Sequence, residues 1–113
     1  MRRGATALAF VALVALAVAA ESLGTVKRLS LTTPVVAGSY ASLTVKVAPA
    51  ARCRIQVVYD TVISSAKGLG PKTGGQITWR WRVGTSTHAG KWPIIVDCGE
   101  SGKLRTTIRV LPR

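Results

Sequence analysis

Hydrophobic and polar side chains alternate through much of this chain. In "ITWRWRV", residues 77 to 83, the odd-numbered positions are apolar and the even-numbered positions are polar. Because successive side chains of a β-strand point to opposite faces, this period predicts a strand with one buried face. Trp79 and Trp81 share the apolar face, so we expect them in the core and Arg80 and Arg82 at the surface. A tryptophan platform for sugar stacking is the alternative, and it would also expose the other apolar side chains of this strand.

The same alternation recurs in other short segments, and no helix-period segment of useful length follows the N-terminal region. The segments are "YASLTVKV" (40 to 47), "RCRIQVVYD" (52 to 60), "WPIIVDC" (92 to 98), "LRTTIRV" (104 to 110) and a weaker one at 26 to 31. Tyr59 and Trp92 fall on the apolar side of their strands, so they are predicted core aromatics like Trp79 and Trp81. Short strands separated by Gly and Pro clusters predict an all-β fold of the sandwich or barrel type.

The N-terminal segment has the features of a secretory signal peptide. Arg2 and Arg3 precede an apolar run that ends in small residues near Ala20. The expected organisation is a signal helix over residues 1–20, followed by a single domain over 21–113, and the protein is predicted to be secreted or at the cell surface. An uncleaved membrane anchor is the alternative, since the run is close to the roughly 17-residue lower limit for a spanning helix.

Cys53 and Cys98 are the only two cysteines. In an exported chain a disulfide is the default use of such a pair, and it would close a loop large enough to stabilise a small domain. Two free buried thiols are the alternative. A zinc site is not expected, because the chain has a single histidine, His88, and no close spacing of ligands.

The order of the strands predicts how they pair. If six strands are labelled A, B, C, E, F and G, an immunoglobulin-like antiparallel β-sandwich of six or seven strands places A, B and E in one sheet and C, F and G in the other. Cys53 then begins strand C and Cys98 ends the antiparallel strand F, so the disulfide joins two strands of one sheet. If the cysteines lie directly opposite each other, the register follows. It pairs Ile55 with Val96, Val57 with Ile94, Tyr59 with Trp92 and, on the outer face, Arg54 with Asp97.

One stretch resembles a known family. The segment "GLGPKT", followed by "ITWRWRVGTSTHAGKWPIIVDCG", is similar to the immunoglobulin-like (Big-type) modules of secreted bacterial proteins, in which tryptophan-rich strands lead through a "VGT...G.W" stretch into a cysteine strand. The resemblance covers roughly Tyr40 to Val110. It implies an all-β, non-catalytic, extracellular accessory or binding module.

The chain is strongly basic. Without Arg2 and Arg3 its 16 basic residues become 14, against four acidic residues, which gives a formal charge of +10 after cleavage. Such a charge favours anionic partners, although solubility and compositional bias could explain it equally well. The strand parity predicts a candidate anionic-ligand surface made of Lys46, Arg80 and Arg82 on the A, B and E sheet and Arg52, Arg54, Arg105 and Arg109 on the C, F and G sheet. Lys67 and Lys72 are candidate contacts in the loop-like segment 61 to 75, for which an ordinary crossover is the simpler interpretation.

Catalysis and cofactors have little support in the sequence. The four acids and His88 do not form a recognisable catalytic arrangement, and "GLGPKT" lacks the glycine spacing of a phosphate-binding loop. We therefore expect no enzyme activity, no catalytic residues, no cofactor and no metal. His88 is expected to be an exposed loop residue.

Three functions fit these observations. The first is a secreted binding module for an anionic partner, such as an acidic cell-wall polymer, anionic lipid or acidic protein. The second is a cationic polyanion-binding or antimicrobial effector. The third is a structural exported domain that binds a protein through the edge of a sheet, at strand A. Sequence-specific nucleic-acid binding is not expected, because the basic residues are spread over both faces and the aromatics point inward. Membrane contact is expected only through an uncleaved signal segment.

Overall fold

A computed structural model describes residues 24–113, and this part of the chain is all-β. The predicted signal segment, residues 1–20, lies outside the described residues. The described elements are seven strands and one 3-10 turn. They are β1 (Thr25–Leu31), β2 (Val35–Val36), β3 (Tyr40–Tyr59), β4 (Val62–Ile63), β5 (Lys72–Arg82), β6 (Gly90–Asp97), the 3-10 turn (Gly99–Ser101) and β7 (Lys103–Leu111).

Strand β3 belongs to both layers of the fold. Its first half pairs with β1 and β5, and its second half pairs with β6, which in turn pairs with β7. The short β2 extends the second layer by pairing parallel to the end of β7, and β4 adds to the end of β3. This is the predicted grouping of A, B and E against C, F and G, so the predicted sandwich is confirmed.

The predicted strands B and C are one continuous strand, not two. The sequence predicted a break at the small residues and Pro49, but β3 runs through an exposed corner at Ala48–Ala50. Its register with β5 shifts between Lys46 and Ala51, which marks the bend. The strand continues because β5 follows the same bend and supplies partners on both sides of it. Glycines at positions 74 and 75 of β5 lie opposite this corner.

The core lies between the two layers and includes the inward side chains of both. Its buried members form one cluster: Val35, Ala37, Ala41, Leu43, Val45, Val47, Cys53, Ile55, Val57, Ile77, Trp79, Trp81, Val83, Ile94, Val96, Cys98, Ile108 and Val110. Almost every one occupies the apolar parity of its strand. The alternation in the sequence therefore indicates correctly which face of each strand is buried.

The two tryptophans of the segment 77 to 83 lie in the core, as predicted, and do not form an exposed platform. Trp79 and Trp81 are fully buried, and Arg80 and Arg82 are exposed. Each buried indole N–H has an acceptor, as a buried polar group requires. Trp79 Nε1 donates to the Gly70 carbonyl at 2.9 Å. Trp81 Nε1 donates to the Tyr59 hydroxyl at 3.0 Å.

The other two predicted core aromatics are only half-buried. Tyr59 and Trp92 pack against the core cluster from its margin, because they lie at the end of β3 and near the start of β6. Trp92 Nε1 donates to the His88 carbonyl at 2.9 Å. Burial raises the pKa of the Tyr59 phenol, and the hydrogen bond from Trp81 opposes that rise.

The disulfide joins Cys53 and Cys98, with 4.1 Å between their Cα atoms. Cys53 lies in β3 and Cys98 follows β6, so the bond links neighbouring strands of one sheet, as predicted. The ladder beside it has the predicted register, with Ile55 opposite Val96 and Val57 opposite Ile94. It ends at that second pair, so the expected pairing of Tyr59 with Trp92 is not part of the ladder.

The segment between β4 and β5 covers the outer edge of β5. Gly68 has φ +95°, and a Cβ built on it would lie 1.9 Å from the Arg80 carbonyl oxygen. Only glycine fits this backbone contact. Ala66 and Leu69 of the same segment pack against the core. These contacts give the crossover a structural role, since they protect a strand edge that would otherwise be open.

Candidate anion site on the outer face of β3, β6 and β7

All members of the predicted basic surface are exposed, and they lie on two opposite outer faces. Lys46, Arg80 and Arg82 lie on the layer of β1, β3 and β5. The second layer carries Arg52, Arg54, Arg105 and Arg109. The contacts of these side chains distinguish the two faces.

On the first face, both arginines make contacts within the protein. The Arg80 guanidinium carbon lies 4.0 Å from the centroid of the Tyr40 ring, a cation–π contact. Arg82 Nε donates to the Gly38 carbonyl at 2.9 Å. Both side chains therefore have a local structural role that a ligand would have to displace.

The two candidate loop lysines differ from expectation in one respect. Lys72 is the first residue of β5 and not part of the loop, because β5 extends to pair with Cys53 beyond the bend. Its Nζ donates to the Thr78 carbonyl at 2.7 Å. Lys67 is exposed in the segment that covers the edge of β5.

The second face carries a shallow cleft. It consists of two adjoining concavities of about 290 and 210 Å³ that share Arg54 and Asp97. We call it the Arg52–Arg54 cleft. Its lining residues are Arg52, Arg54, Gln56, Ile95, Asp97, Gly99 and Lys103.

Strand parity and register place these side chains together. Arg52, Arg54 and Gln56 alternate with the buried positions of β3, so all three point outward. The ladder puts Asp97 of β6 opposite Arg54, and Lys103 of β7 opposite Asp97. A row of alternating charges therefore crosses three neighbouring strands, spaced about 5 Å apart.

Asp97, the acid in this row, contacts groups other than the two arginines. Asp97 Oδ1 accepts a hydrogen bond from the Gly99 N–H at 3.0 Å, and Asp97 Oδ2 lies 3.9 Å from Lys103 Nζ. Arg54 and Asp97 form no ion pair within residues 24–113, although the two residues are opposite each other in the ladder, as predicted. The carboxylate instead lies toward the turn after β6, where a backbone donor is available.

Arg52 and Arg54 are thus open to a ligand. Within the described part of the chain, neither guanidinium has a carboxylate within 4.0 Å or a hydrogen bond to the protein. Guanidinium groups bind carboxylate, phosphate and sulfate through paired hydrogen bonds. The cleft is too open to enclose a small molecule. It is suited to an anionic group carried on a larger partner.

The sequence reasoning missed a side-chain contact at the far end of the β3–β6 ladder. His88 Nδ1 lies 2.9 Å from Asp60 Oδ2, and both side chains are largely exposed. Asp60 follows β3, and His88 precedes β6. The antiparallel register, continued past the ladder, would place Asp60 opposite Lys91, three residues after His88, so it brings the two segments together without specifying this pair. An exposed pair of this kind contributes little to stability.

Residues 24–113 contain no cluster of three or more His, Cys, Asp or Glu side chains that could hold a metal ion. No helix within this range has the length and apolar character needed to cross a membrane.

The fold and the cleft together define a class: a β-sandwich module with two arginines on one outer face that have no ion-pair partner among residues 24–113. Comparison with protein-family models gives no match, and comparison with curated proteins gives no significant match. The functional conclusion therefore depends on the geometry of the cleft.

Proposed function

We propose that this protein is a non-catalytic, secreted or cell-surface binding module that holds an anionic group of its partner in the Arg52–Arg54 cleft. Its resemblance to Big-type modules supports the non-catalytic and extracellular parts of this proposal. The observation that carries the binding site is the unpaired state of two adjacent arginines within the described chain.

The charge balance around the cleft favours an anion. Among its lining residues in the described chain, Arg52, Arg54 and Lys103 outnumber the one acid, Asp97. Arg105 follows Lys103 on the outer face of β7, opposite Ile95 of the cleft, and extends the positive field along the strand. An arriving carboxylate or phosphate would gain charge-assisted hydrogen bonds without first breaking an ion pair or hydrogen bond between Arg52 or Arg54 and residues 24–113.

The test is binding across a salt series, with two matched double variants. The probes are double-stranded DNA, vesicles containing phosphatidylglycerol, polyglycerol phosphate and polyglutamate. Arg52→Gln/Arg54→Gln removes two charges from the cleft. Arg80→Gln/Arg82→Gln removes two charges from the opposite face and serves as the control. Circular dichroism and thermal unfolding verify that both variants fold.

At physiological salt, at least one probe should bind the parent protein saturably. The cleft variant should weaken that binding by at least about tenfold, because it loses charge-assisted hydrogen bonds of about 1.5–3 kcal/mol each. The control variant should change it less than about threefold, since its charges lie on the other layer of the sandwich, and packed sheets are about 10 Å apart, beyond the roughly 8 Å screening length. Equal losses in both variants, or the absence of saturable binding, would refute the proposed site.

A second candidate function is a cationic effector that coats polyanions or disrupts anionic surfaces. The distribution of charge favours it, because residues 24–113 contain 14 basic and three acidic residues and the basic ones occupy both outer faces. This function predicts that all probes bind at low salt and release together as salt rises. It also predicts that the two double variants behave alike.

A structural domain that binds through a sheet edge is less well supported. Strand β1 would supply that edge, but its register with β3 shifts between Arg28 and Ser30, as in a β-bulge. Lys27 and Arg28 are exposed beside this irregularity. Bulges and charged residues are features that discourage pairing with another strand.

A further inference from the structure

The same outer face carries an apolar strip beside the cleft. Ile63 of β4 lies opposite Val58 of β3. The β3–β6 ladder ends at Val57–Ile94, and extending its register by one residue places Pro93 beside Val58. Ile95, the next outward residue of β6, is opposite Gln56 and Arg105. Ile63 is 55% exposed, and the other three are half-buried. We call these four residues, Val58, Ile63, Pro93 and Ile95, the apolar strip.

Basic residues lie on both sides of the apolar strip. Arg54, Lys103 and Arg105 lie toward the cleft end of the sheet. At the other end, Lys91 of β6 is opposite Arg109 of β7, and both are exposed. An apolar centre with a polar rim is the usual anatomy of a protein–protein contact.

The apolar strip contains no aromatic side chain. This composition favours an acidic protein over a nucleic acid as the anionic partner. Polyanions such as single-stranded nucleic acid are held by stacking on exposed aromatic rings as well as by charge. The indoles of Trp79 and Trp81 are buried in the core, and the half-buried Trp92 donates its N–H to the His88 carbonyl. The aliphatic side chains of the strip are better matched to aliphatic side chains of a protein.

We propose that the partner of this face is an acidic protein segment that places aliphatic side chains on the apolar strip while its carboxylates reach the basic rim. This inference rests on the proposed function and specifies the partner class of the same site. A second copy of this chain does not fit, because two such faces would bring their arginines and lysines together, and Asp97, the acid in the cleft, already accepts the Gly99 N–H.

Two peptides of equal charge separate the apolar contribution to binding affinity from the electrostatic contribution. One is a ten-residue peptide that alternates glutamate with valine, and the other alternates glutamate with serine. An extended ten-residue peptide is about 34 Å long, enough to cross the sheet. Binding of each to the full oxidised protein is measured by calorimetry at physiological salt, together with sedimentation of the peptides to exclude self-association.

We expect the valine peptide to bind at least about tenfold more tightly, the gain from burying roughly one aliphatic side chain. Ile63→Ser/Ile95→Thr should abolish this preference. Val62→Ser is the matched control and should retain it, because Val62 is even more exposed, at 65%, but pairs with Tyr59 on the opposite parity of β3.

The two proposals fail in different ways. If both peptides bind equally and Arg52→Gln/Arg54→Gln weakens both, the acidic-protein inference is wrong and the anion site stands. If Val62→Ser loses the preference for the valine peptide as fully as Ile63→Ser/Ile95→Thr does, the apolar strip is not the contact and the inference is also wrong. If neither peptide binds, the inference is wrong, and the polymer and vesicle probes then decide whether the anion site exists.

Discussion

Reduction of the Cys53–Cys98 bond should remove a large part of the stability of this domain. The two residues are separated by 45 positions, so the bond closes a 46-residue loop that contains β4, β5 and β6. In the chain-entropy description, a loop of this size stabilises the folded state by about 4 kcal/mol, because it restricts the unfolded chain. The total free energy of unfolding of a small domain is only about 5–15 kcal/mol.

Urea titration followed by tryptophan fluorescence measures this loss directly, since Trp79 and Trp81 are buried. Oxidised and reduced wild-type protein are compared first, because they differ by the cross-link and not by any heavy atom. In thermal unfolding, the same loss corresponds to roughly 15–30 °C for a domain of this size. Cys53→Ala/Cys98→Ala should lose at least as much, since it also removes two buried sulfur atoms.

The reasoning is refuted if reduced and oxidised wild-type protein differ by less than about 1 kcal/mol. The bond would then constrain little of the unfolded chain. A large loss in the alanine variant without a matching loss on reduction would instead assign the effect to core packing.

Two further changes test individual contacts. Tyr59→Phe should cost about 1–3 kcal/mol, because it leaves the buried Trp81 N–H without its acceptor. Since the Tyr59 pKa is raised above 10.0, this residue's pH-dependent contribution to stability is fully present below pH 10 and is lost as pH rises through the raised value. Absorbance titration of Tyr40→Phe, which retains only the phenol of Tyr59, should give a midpoint above that of free tyrosine, and a midpoint at or below it would contradict the burial. Gly68→Ala should destabilise the protein by at least roughly 1–3 kcal/mol through its positive φ, with an added backbone clash, whereas Gly70→Ala, where a Cβ meets nothing within 4 Å, should change little. Thermal unfolding of the two alanine variants compares them, and equal effects would contradict the assigned role of Gly68.

Much of the fold was predictable because two independent constraints agree. Period-two alternation assigns a buried face to each strand, and a one-residue slip would move that face into solvent. The pair Cys53 and Cys98 then fixes the register of β3 against β6. Ile55 opposite Val96 follows from those two facts without any tertiary information.

The continuity of β3 and the start of β5 could not be predicted in the same way. Pro49 and the glycines of "KTGGQ" are ordinary turn signals, and sequence reasoning treated them as such. Here they form matching corners of two paired strands, so the bend is a property of the pair. Lys72 consequently lies in a strand, although the Gly and Pro residues around it are typical of a loop.

The sequence placed the basic residues on the outer faces but could not predict which of them make contacts within the protein. Arg80 and Arg82 differ from Arg52 and Arg54 only through contacts with Tyr40 and the Gly38 carbonyl, which the alternation does not encode. The predicted register of Arg54 with Asp97 was confirmed, but their ion pair does not form. A nearby backbone N–H competes for the carboxylate, and that depends on the turn after β6.

The direction of β6 determines how the protein should be attached to a surface. Asp97 lies in the cleft at one end of this strand, and Gly90 lies at the other end, opposite Val110 near the C-terminus. Seven residues of strand separate these ends by about 24 Å. Gly24 is at the cleft end, close to the Ala48 carbonyl and Ser101. Coupling to a sensor chip through a tag after Arg113 therefore presents the cleft to the solution, whereas coupling near Gly24 turns it toward the matrix.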